Sequence, residues 1–317
     1  VFEVILPAAV TLALVLLLCP FLIQYLKKLQ LTQPIRKELP EEQQVKHGTP
    51  LMTGSIFLLG IIIALIYSSS EVMLFLCTAF VLYSVIGFLD DYWKASRQDP
   101  NGMSGKMKLI LQFIVTGLLL YIITAKLGLD TNIQLFNHWS IDFPFIIYLL
   151  TMAVFVVGST NAINFTDGMD GLLGVVAIPT YFFFFVISDI PEIQVFCLIM
   201  IANILGFLMF NIFPAKAFMG DTGSLAIGGS LAFLAIIEKV EIIIPLLFFI
   251  YFAEQLSVVI QVFVYKRTQK RVFQMTPIHY HFSLKYGWTE NAVVIVFGFI
   301  SWVGTFISYG YWKYFLS

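Results

Sequence analysis

Charge is scarce in this sequence. Only 12% of its 317 residues are Asp, Glu, Lys or Arg, while 59% are hydrophobic and the mean hydropathy is +0.91. That balance excludes an ordinary water-soluble domain. Cysteine is reduced to Cys19, Cys77 and Cys197, each isolated in an apolar run, so no disulfide framework exists and the thiols read as core. No HExxH segment or Cys/His set occurs, which argues against zinc. Alternating segments of about ten residues, the mark of a transmembrane β-barrel, are also missing. Soluble-type repeats, low-complexity tracts and coiled-coil heptads are absent as well. The first apolar segment lacks a basic leader and a cleavage pattern, so it reads as a retained helix.

What the sequence does have is apolar runs of about 17 to 25 residues, the length that crosses a bilayer as helix. The prediction is an all-α polytopic membrane protein, one domain over 1–317, with about ten helices at roughly 3–26, 51–67, 72–89, 107–125, 144–160, 171–187, 193–210, 223–239, 242–264 and 292–312. An even number of spans puts both termini on one side. Lys27, Lys28, Arg36, Lys37, Lys46, Lys94, Arg97, Lys106, Lys216, Lys266, Arg267, Lys270, Arg271 and Lys285 all fall in alternate connecting segments, and Lys108 lies just inside the fourth helix at the same end. The opposite side has little beyond Lys126, Lys239 and Lys313. By the positive-inside rule the basic side is cytoplasmic and both termini are extracytoplasmic. The outer segment 126–143 reads as a small hairpin or interfacial loop, with His138 structural or merely exposed.

The acidic and amide residues collect on the basic side. In NAINFTDGMDG, 161–171, the residues Asn161, Asn164, Asp167 and Asp170 recur every three positions and share a face wherever the stretch is helical. The alternative is a hydrophilic turn, since Gly168 and Gly171 suit one. Asp90 and Asp91 end the third helix in GFLDDYWK. Adjacent carboxylates resist joint ionisation, and Lys94 lies on the Asp90 face if the helix continues. Lys106 and Lys108 begin the next helix, where ammonium and amide donors can hold phosphate oxygens. Asp221, between Gly220 and Gly223, can take a hard cation, and Mg²⁺ is the best candidate because one or two carboxylates plus substrate phosphates and water suffice for it. Phe218 either stacks on a base or packs. Glu254 sits within an apolar helix and should face a partner or a cavity, either packing or orienting a basic residue. In TPIHYHFSLKYGW, His279 and His281 share a face in an extended segment and diverge in a helix. They suit pyrophosphate binding or proton exchange near neutral pH. Lys46, in VKHGTPLMTG, reaches a phosphate only if its loop folds toward the same mouth.

Together, DDYWK at 90–94, NAINFTDGMDGL at 161–172, FMGDTGSLAIGG at 218–229 and PIHYHF at 277–282 resemble the phospho-N-acetylmuramoyl-pentapeptide transferase family, of the polyprenyl-phosphate hexosamine-1-phosphate transferase superfamily. The resemblance runs through nearly the whole chain. It implies ten transmembrane helices in a bacterial plasma membrane, a cytoplasmic cleft, and transfer of phospho-MurNAc-pentapeptide from its UDP carrier to undecaprenyl phosphate, giving lipid I and UMP with Mg²⁺. By the same resemblance Asp221 is the principal metal ligand, with Asp167 near the metal or nucleotide, and Asp90 and Asp91 activate or position the lipid phosphate. Lys46, Asn161, Asn164, Asp170, Asn211 and Phe218 match substrate-recognition positions, Phe218 as a platform for uracil. Lys94 and Lys106 hold phosphates, and His279 and His281 support the diphosphate, His279 among the catalytic residues. Expected partners are the two substrates, membrane lipids and a second copy of the chain in a homodimer, with no nucleic acid.

Two segments depart from the family pattern. Tyr280 and Ser283 stand where the family loop, close to PxHHHFE, has its middle His and its Glu; GTPLMTG replaces a motif close to GTPTMGG. Tyr280 donates a hydrogen bond but carries no imidazole charge. Relatives that transfer GlcNAc-1-phosphate to the same lipid share the acidic core and are the nearest alternative. A secondary transporter would instead place polar residues near the membrane midplane in paired broken helices. Both direct attack by the lipid phosphate and a two-step route through a phospho-aspartate suit the residues, and direct attack is favoured because phosphate monoesters are largely ionised near neutral pH.

Overall fold

A computed structural model describes residues 2–33, 48–128, 130–137 and 139–316. Lys46 and His138 lie outside the described residues. The chain is helical nearly throughout: α1 (Phe2–Lys28), a 3₁₀ turn (Thr53–Phe57) leading into α2 (Leu58–Tyr67), α3 (Glu71–Arg97), α4 (Gly105–Leu127), α5 (Phe145–Thr166), α6 (Leu172–Ile187), α7 (Pro191–Asn211), α8 (Gly220–Ile237), α9 (Phe249–Thr268), α10 (Ile278–Tyr286) and α11 (Glu290–Phe315). Short turns at Glu241–Ile243 and Ile244–Leu247 precede α9. Among the described residues eight helices are long and apolar enough to cross a membrane, and two shorter apolar helices, Thr53–Tyr67 and Leu172–Ile187, stand where two more spans were expected.

The helices start where the sequence offers caps. Ser70, Ser104 and Thr289 accept from the backbone N–H groups of Met73, Met107 and Ala292 through their side-chain oxygens, satisfying first-turn donors of α3, α4 and α11. Expected and observed boundaries differ most at α3, which runs on past residue 89 to Arg97. The extension adds the polar turns that carry Asp90, Asp91 and Lys94.

At the centre stands α8, whose residues Asp221 to Ile236 are all buried. It packs chiefly on α3 and α5, while α1 lies on α7 and α6 lies between α7 and α11. Many large apolar side chains, among them Leu17, Ile66, Ile114, Ile146 and Phe299, are exposed on the outside of this bundle. In water they would form a costly apolar surface; in a bilayer they face their own solvent. At one end of the bundle an antiparallel hairpin, β1 (Asn132–Phe136) with β2 (Trp139–Asp142), realises the small hairpin expected there. It is tied down by Asn137 N–H to the Phe315 carbonyl and Tyr311 Oη to the Leu135 carbonyl. The acidic residues lie at the other end.

One close approach decides how that end is built. A Cβ added to Gly87 of α3 would collide with the carbonyl of Asp221, so only glycine lets α3 lie against the first turn of α8. One turn further along α3, Asp91 then meets the free N–H groups of that turn.

Candidate active site

Three carboxylates and two ammonium groups meet where α3, α4, α5 and α8 converge. Asp221, in the first turn of α8, has Lys94 Nζ at 2.9 Å and Lys108 Nζ at 2.5 Å on Oδ2, and Asn164 Nδ2 donates to its Oδ1 at 2.8 Å. Lys94 Nζ also lies 2.7 Å from Asp90 Oδ2, which confirms the expected pairing four residues apart along a continuing helix. Lys108 Nζ reaches the same oxygen at 3.5 Å. Asn164 gives a second hydrogen bond to Ser224 Oγ, 2.7 Å away. The negative charge on Asp221 is favoured both by the two ammonium groups and by the amino-terminal end of α8.

The adjacent aspartates have separate tasks. Asp91 accepts from the backbone N–H groups of Asp221 (3.1 Å) and Thr222 (2.8 Å) and from Thr222 Oγ1 (2.7 Å), capping α8 from a neighbouring helix. Asp90 accepts from Met103 N–H at 2.6 Å through Oδ1 and faces both lysines through Oδ2, which pins the turn between α3 and α4. Side-chain exposure is 2% for Asp90 and 1% for Asp91 but 13% for Asp221, so only the last opens toward solvent.

The seam after α5 does not form the four-residue stripe that a continuous helix would give. α5 ends at Thr166, and Gly171, at φ +80°, turns the chain into α6. Asn161 lies one turn deeper than Asn164 and exchanges amide hydrogen bonds with Gln112 of α4, at 2.6 Å from its own Nδ2. Asp170 accepts from Ala215 N–H (2.9 Å), and Asn211 accepts from Gly171 N–H (3.1 Å) while donating to the Ala217 carbonyl (2.8 Å). These two side chains clamp the 167–171 turn to the 211–217 loop. Asp167 follows α5 directly; burial, then the nearby charges of Asp221, Asp91 and Asp170, push its pKa well above the ordinary carboxylate range, opposed by Lys94.

The remaining expected residues are dispersed. Lys106 is exposed, and the lysine that enters the cluster is Lys108, two residues on. The sequence offered both lysines at the start of α4 as holders of phosphate oxygens, and the family resemblance pointed to Lys106; of the two it is Lys108, four residues after the Ser104 cap, that faces the carboxylates. Phe218 is half-buried, and its backbone pairs with Pro50 and Thr53, bringing the GTPLMTG segment against the start of α8. His279 and His281 fall in α10 and diverge, so the extended alternative does not hold. Tyr280 Oη donates to the Gly168 carbonyl at 2.8 Å, giving the residue that replaces the family histidine a place under the seam. Gln112, Thr222 and Ser224 are polar partners that sequence reasoning missed; no short motif marks them.

A magnesium ion would find few protein donors here. Among the described residues no group of three His, Cys, Asp or Glu side chains closes on one point. A closed protein cage is therefore absent, but magnesium needs only one or two carboxylates when phosphates and water supply the rest. Asp221 offers hard oxygens, partial exposure and a balance of three carboxylates against two ammonium groups around it, so the residues present fit an open-sided site.

Known proteins resemble this chain along most of its length. The family model for glycosyl transferase family 4 matches residues 72–239, which span α3 to the end of α8. The phospho-N-acetylmuramoyl-pentapeptide-transferase of Clostridium acetobutylicum is 40% identical over 291 residues, covering 89% of this chain and 90% of its own length. That of Bacillus licheniformis is 40% identical over 291 residues, 89% of each chain. The Staphylococcus epidermidis enzyme is 38% identical over 302 residues, 92% of this chain and 93% of its own. With such identity along nine-tenths of its length, and with the acidic cluster inside the matched region, the chain belongs to the phospho-N-acetylmuramoyl-pentapeptide-transferase family.

Proposed function

We propose that this chain transfers phospho-MurNAc-pentapeptide from UDP-MurNAc-pentapeptide to undecaprenyl phosphate, forming lipid I and UMP for peptidoglycan synthesis. One observation carries the reading beyond family membership: the Asp221 carboxylate, at the mouth of the bundle, is held between Lys94, Lys108 and Asn164. Phosphoryl transfer between two anionic substrates needs this kind of preorganised positive charge and little else. The GlcNAc-1-phosphate alternative has no observation in its favour here.

Lys94 and Lys108 bind the diphosphate by shifting their ammonium groups from Asp90 and Asp221 to phosphate oxygens. Asp221, with Asp167, would hold a magnesium ion, which would offset charge on the diphosphate. Asp91 keeps Asp221 in place through the first turn of α8. Phe218 serves the uracil, and Lys46 a phosphate. The lipid phosphate attacks the sugar-bearing phosphorus directly, the bridging P–O bond breaks and UMP leaves. The hydrogen bonds that occupy buried Asp90 and Asp91 support this one-step route over a phospho-aspartate. The site faces the cytoplasm, both termini lie outside, and the protein works as a homodimer in the bacterial plasma membrane; the clustering of basic residues in alternate connections supports this orientation.

The test is incubation of purified protein with undecaprenyl phosphate and Mg²⁺, comparing UDP-MurNAc-pentapeptide with UDP-GlcNAc and measuring UMP and the lipid product. Lipid I from the first donor alone is the expected result. Product from UDP-GlcNAc alone would transfer the protein to the other branch, and no UMP from either donor in folded protein would reject the transferase.

A further inference from the structure

His279 and Glu254 form a buried pair distinct from the lysine–aspartate cluster. Both side chains are fully buried, and Glu254 Oε2 lies 3.0 Å from His279 Nδ1 and 3.4 Å from the His279 backbone nitrogen. A carboxylate accepts at both, so Nδ1 carries the ring proton. His279 Nε2 has no hydrogen-bond partner among the described residues. It faces the seam, since a Cβ built on Gly168 would collide with this nitrogen, and the neighbouring Tyr280 Oη grips the Gly168 carbonyl. His281 has the opposite arrangement: the backbone N–H of Gln274 donates to its Nδ1 at 3.0 Å, so Nδ1 is bare and the proton sits on Nε2.

We infer that Glu254 is a positioning residue that fixes His279 as the Nδ1–H tautomer, leaving Nε2 as a hydrogen-bond acceptor beneath the 167–171 turn, while Gln274 fixes His281 as the Nε2–H tautomer. The two histidines are therefore not interchangeable. With these tautomers, only His281 presents its ring N–H away from its protein partner, where a phosphate oxygen can accept it. His279 can only receive there, from a donor on the substrate or on the turn. Burial, with Lys285 adding to it, lowers the His281 pKa, which favours the neutral ring. The functional part of this inference rests on the transferase reading; the tautomer part does not.

The experiment is nitrogen-15 NMR of histidine-labelled full-length protein in lipid nanodiscs, with His279→Asn and His281→Asn used to assign the signals. The expected spectrum shows protonated Nδ1 at His279 and protonated Nε2 at His281. The reverse tautomer at His279 would overturn the inference without any assay of activity. In kinetics, Glu254→Gln should lower kcat on the order of tenfold, the scale on which partners that orient a working histidine act, with a smaller change in KM. In the His279→Asn background the same substitution should cost nothing further, because it acts through that ring. Multiplying losses would overturn the positioning role. Should Glu254→Gln not fold, Glu254→Asp, which keeps the acceptor charge, serves in the same cycle. Failure of the transferase reading would look different: no UMP from the unaltered protein, with the tautomers intact.

Discussion

Asp91→Asn separates a structural carboxylate from a chemical one. Asp91 takes three donors on two oxygens: Asp221 N–H and Thr222 N–H and Oγ1. Asparagine keeps one acceptor oxygen and turns an N–H₂ group toward whatever the other oxygen bound. With Oδ1 kept on Thr222, the Asp221 N–H faces another donor and is left buried and unsatisfied, a cost of about 1–3 kcal/mol. Loss of a charged acceptor at an amino-terminal cap adds about 1 kcal/mol. The expected total is thus about 2–4 kcal/mol, concentrated on the turn that carries Asp221. Two measurements read it: the midpoint of thermal unfolding in detergent, which should fall, and UMP release, which should drop mainly in kcat because Asp221 is displaced. If Asp91 instead served as the base for the lipid phosphate, Asp91→Asn would keep the unfolding midpoint and abolish turnover. That result would refute the capping argument.

Further outcomes are expected at neighbouring positions. Lys108→Ala should lower kcat/KM about 10²-fold, the loss typical of one preorganised donor, whereas Lys106→Ala, at an exposed position, should leave UMP release within twofold of the unaltered rate, on the order of the small effects of surface changes. Gly87→Ala forces a methyl group onto the Asp221 carbonyl; it should destabilise the fold by about 1–3 kcal/mol or more and displace Asp221, visible as a lower unfolding midpoint together with lost activity. Chelation of divalent cations should stop UMP release reversibly, and Asp221→Asn should weaken Mn²⁺ binding measured by electron paramagnetic resonance without substrate. Because the folded Asp167 carboxyl has a raised pKa, its contribution to stability is complete below the ordinary carboxylate pKa and declines as pH rises above it. In metal-free buffer, Asp167→Asn should therefore unfold at a higher temperature than the unaltered protein near neutral pH, with the difference closing toward pH 4. A lower midpoint for the variant at neutral pH would contradict that assignment.

Much of the architecture could be read from composition and spacing. Apolar runs separated by polar connections predicted helices at the observed places, because a bilayer-length apolar stretch has few alternatives once its backbone must bond to itself. Motif order also pointed to the family that the comparisons show. The pairing of Lys94 with Asp90 followed from helical spacing alone once α3 continued to Arg97.

Three features depended on tertiary packing. The periodic face of Asn161, Asn164, Asp167 and Asp170 existed only on paper, since helical spacing aligns side chains only while the helix lasts, and α5 stops at Thr166. Lys108 rather than Lys106 entered the site because the rotation of α4 against α5 and α8 selects which of two nearby lysines points inward. Asp90 and Asp91, adjacent and chemically identical, acquired different partners because successive residues on a helix point about 100° apart, one toward the lysines and the other toward the end of α8. The sequence by itself determined the solvent, the helices and the inventory of charged groups, all of which follow from local periodicity and composition. Which groups meet, His279 with Glu254 among them, was decided by helices separated in sequence coming into contact, and local pattern carries no record of that.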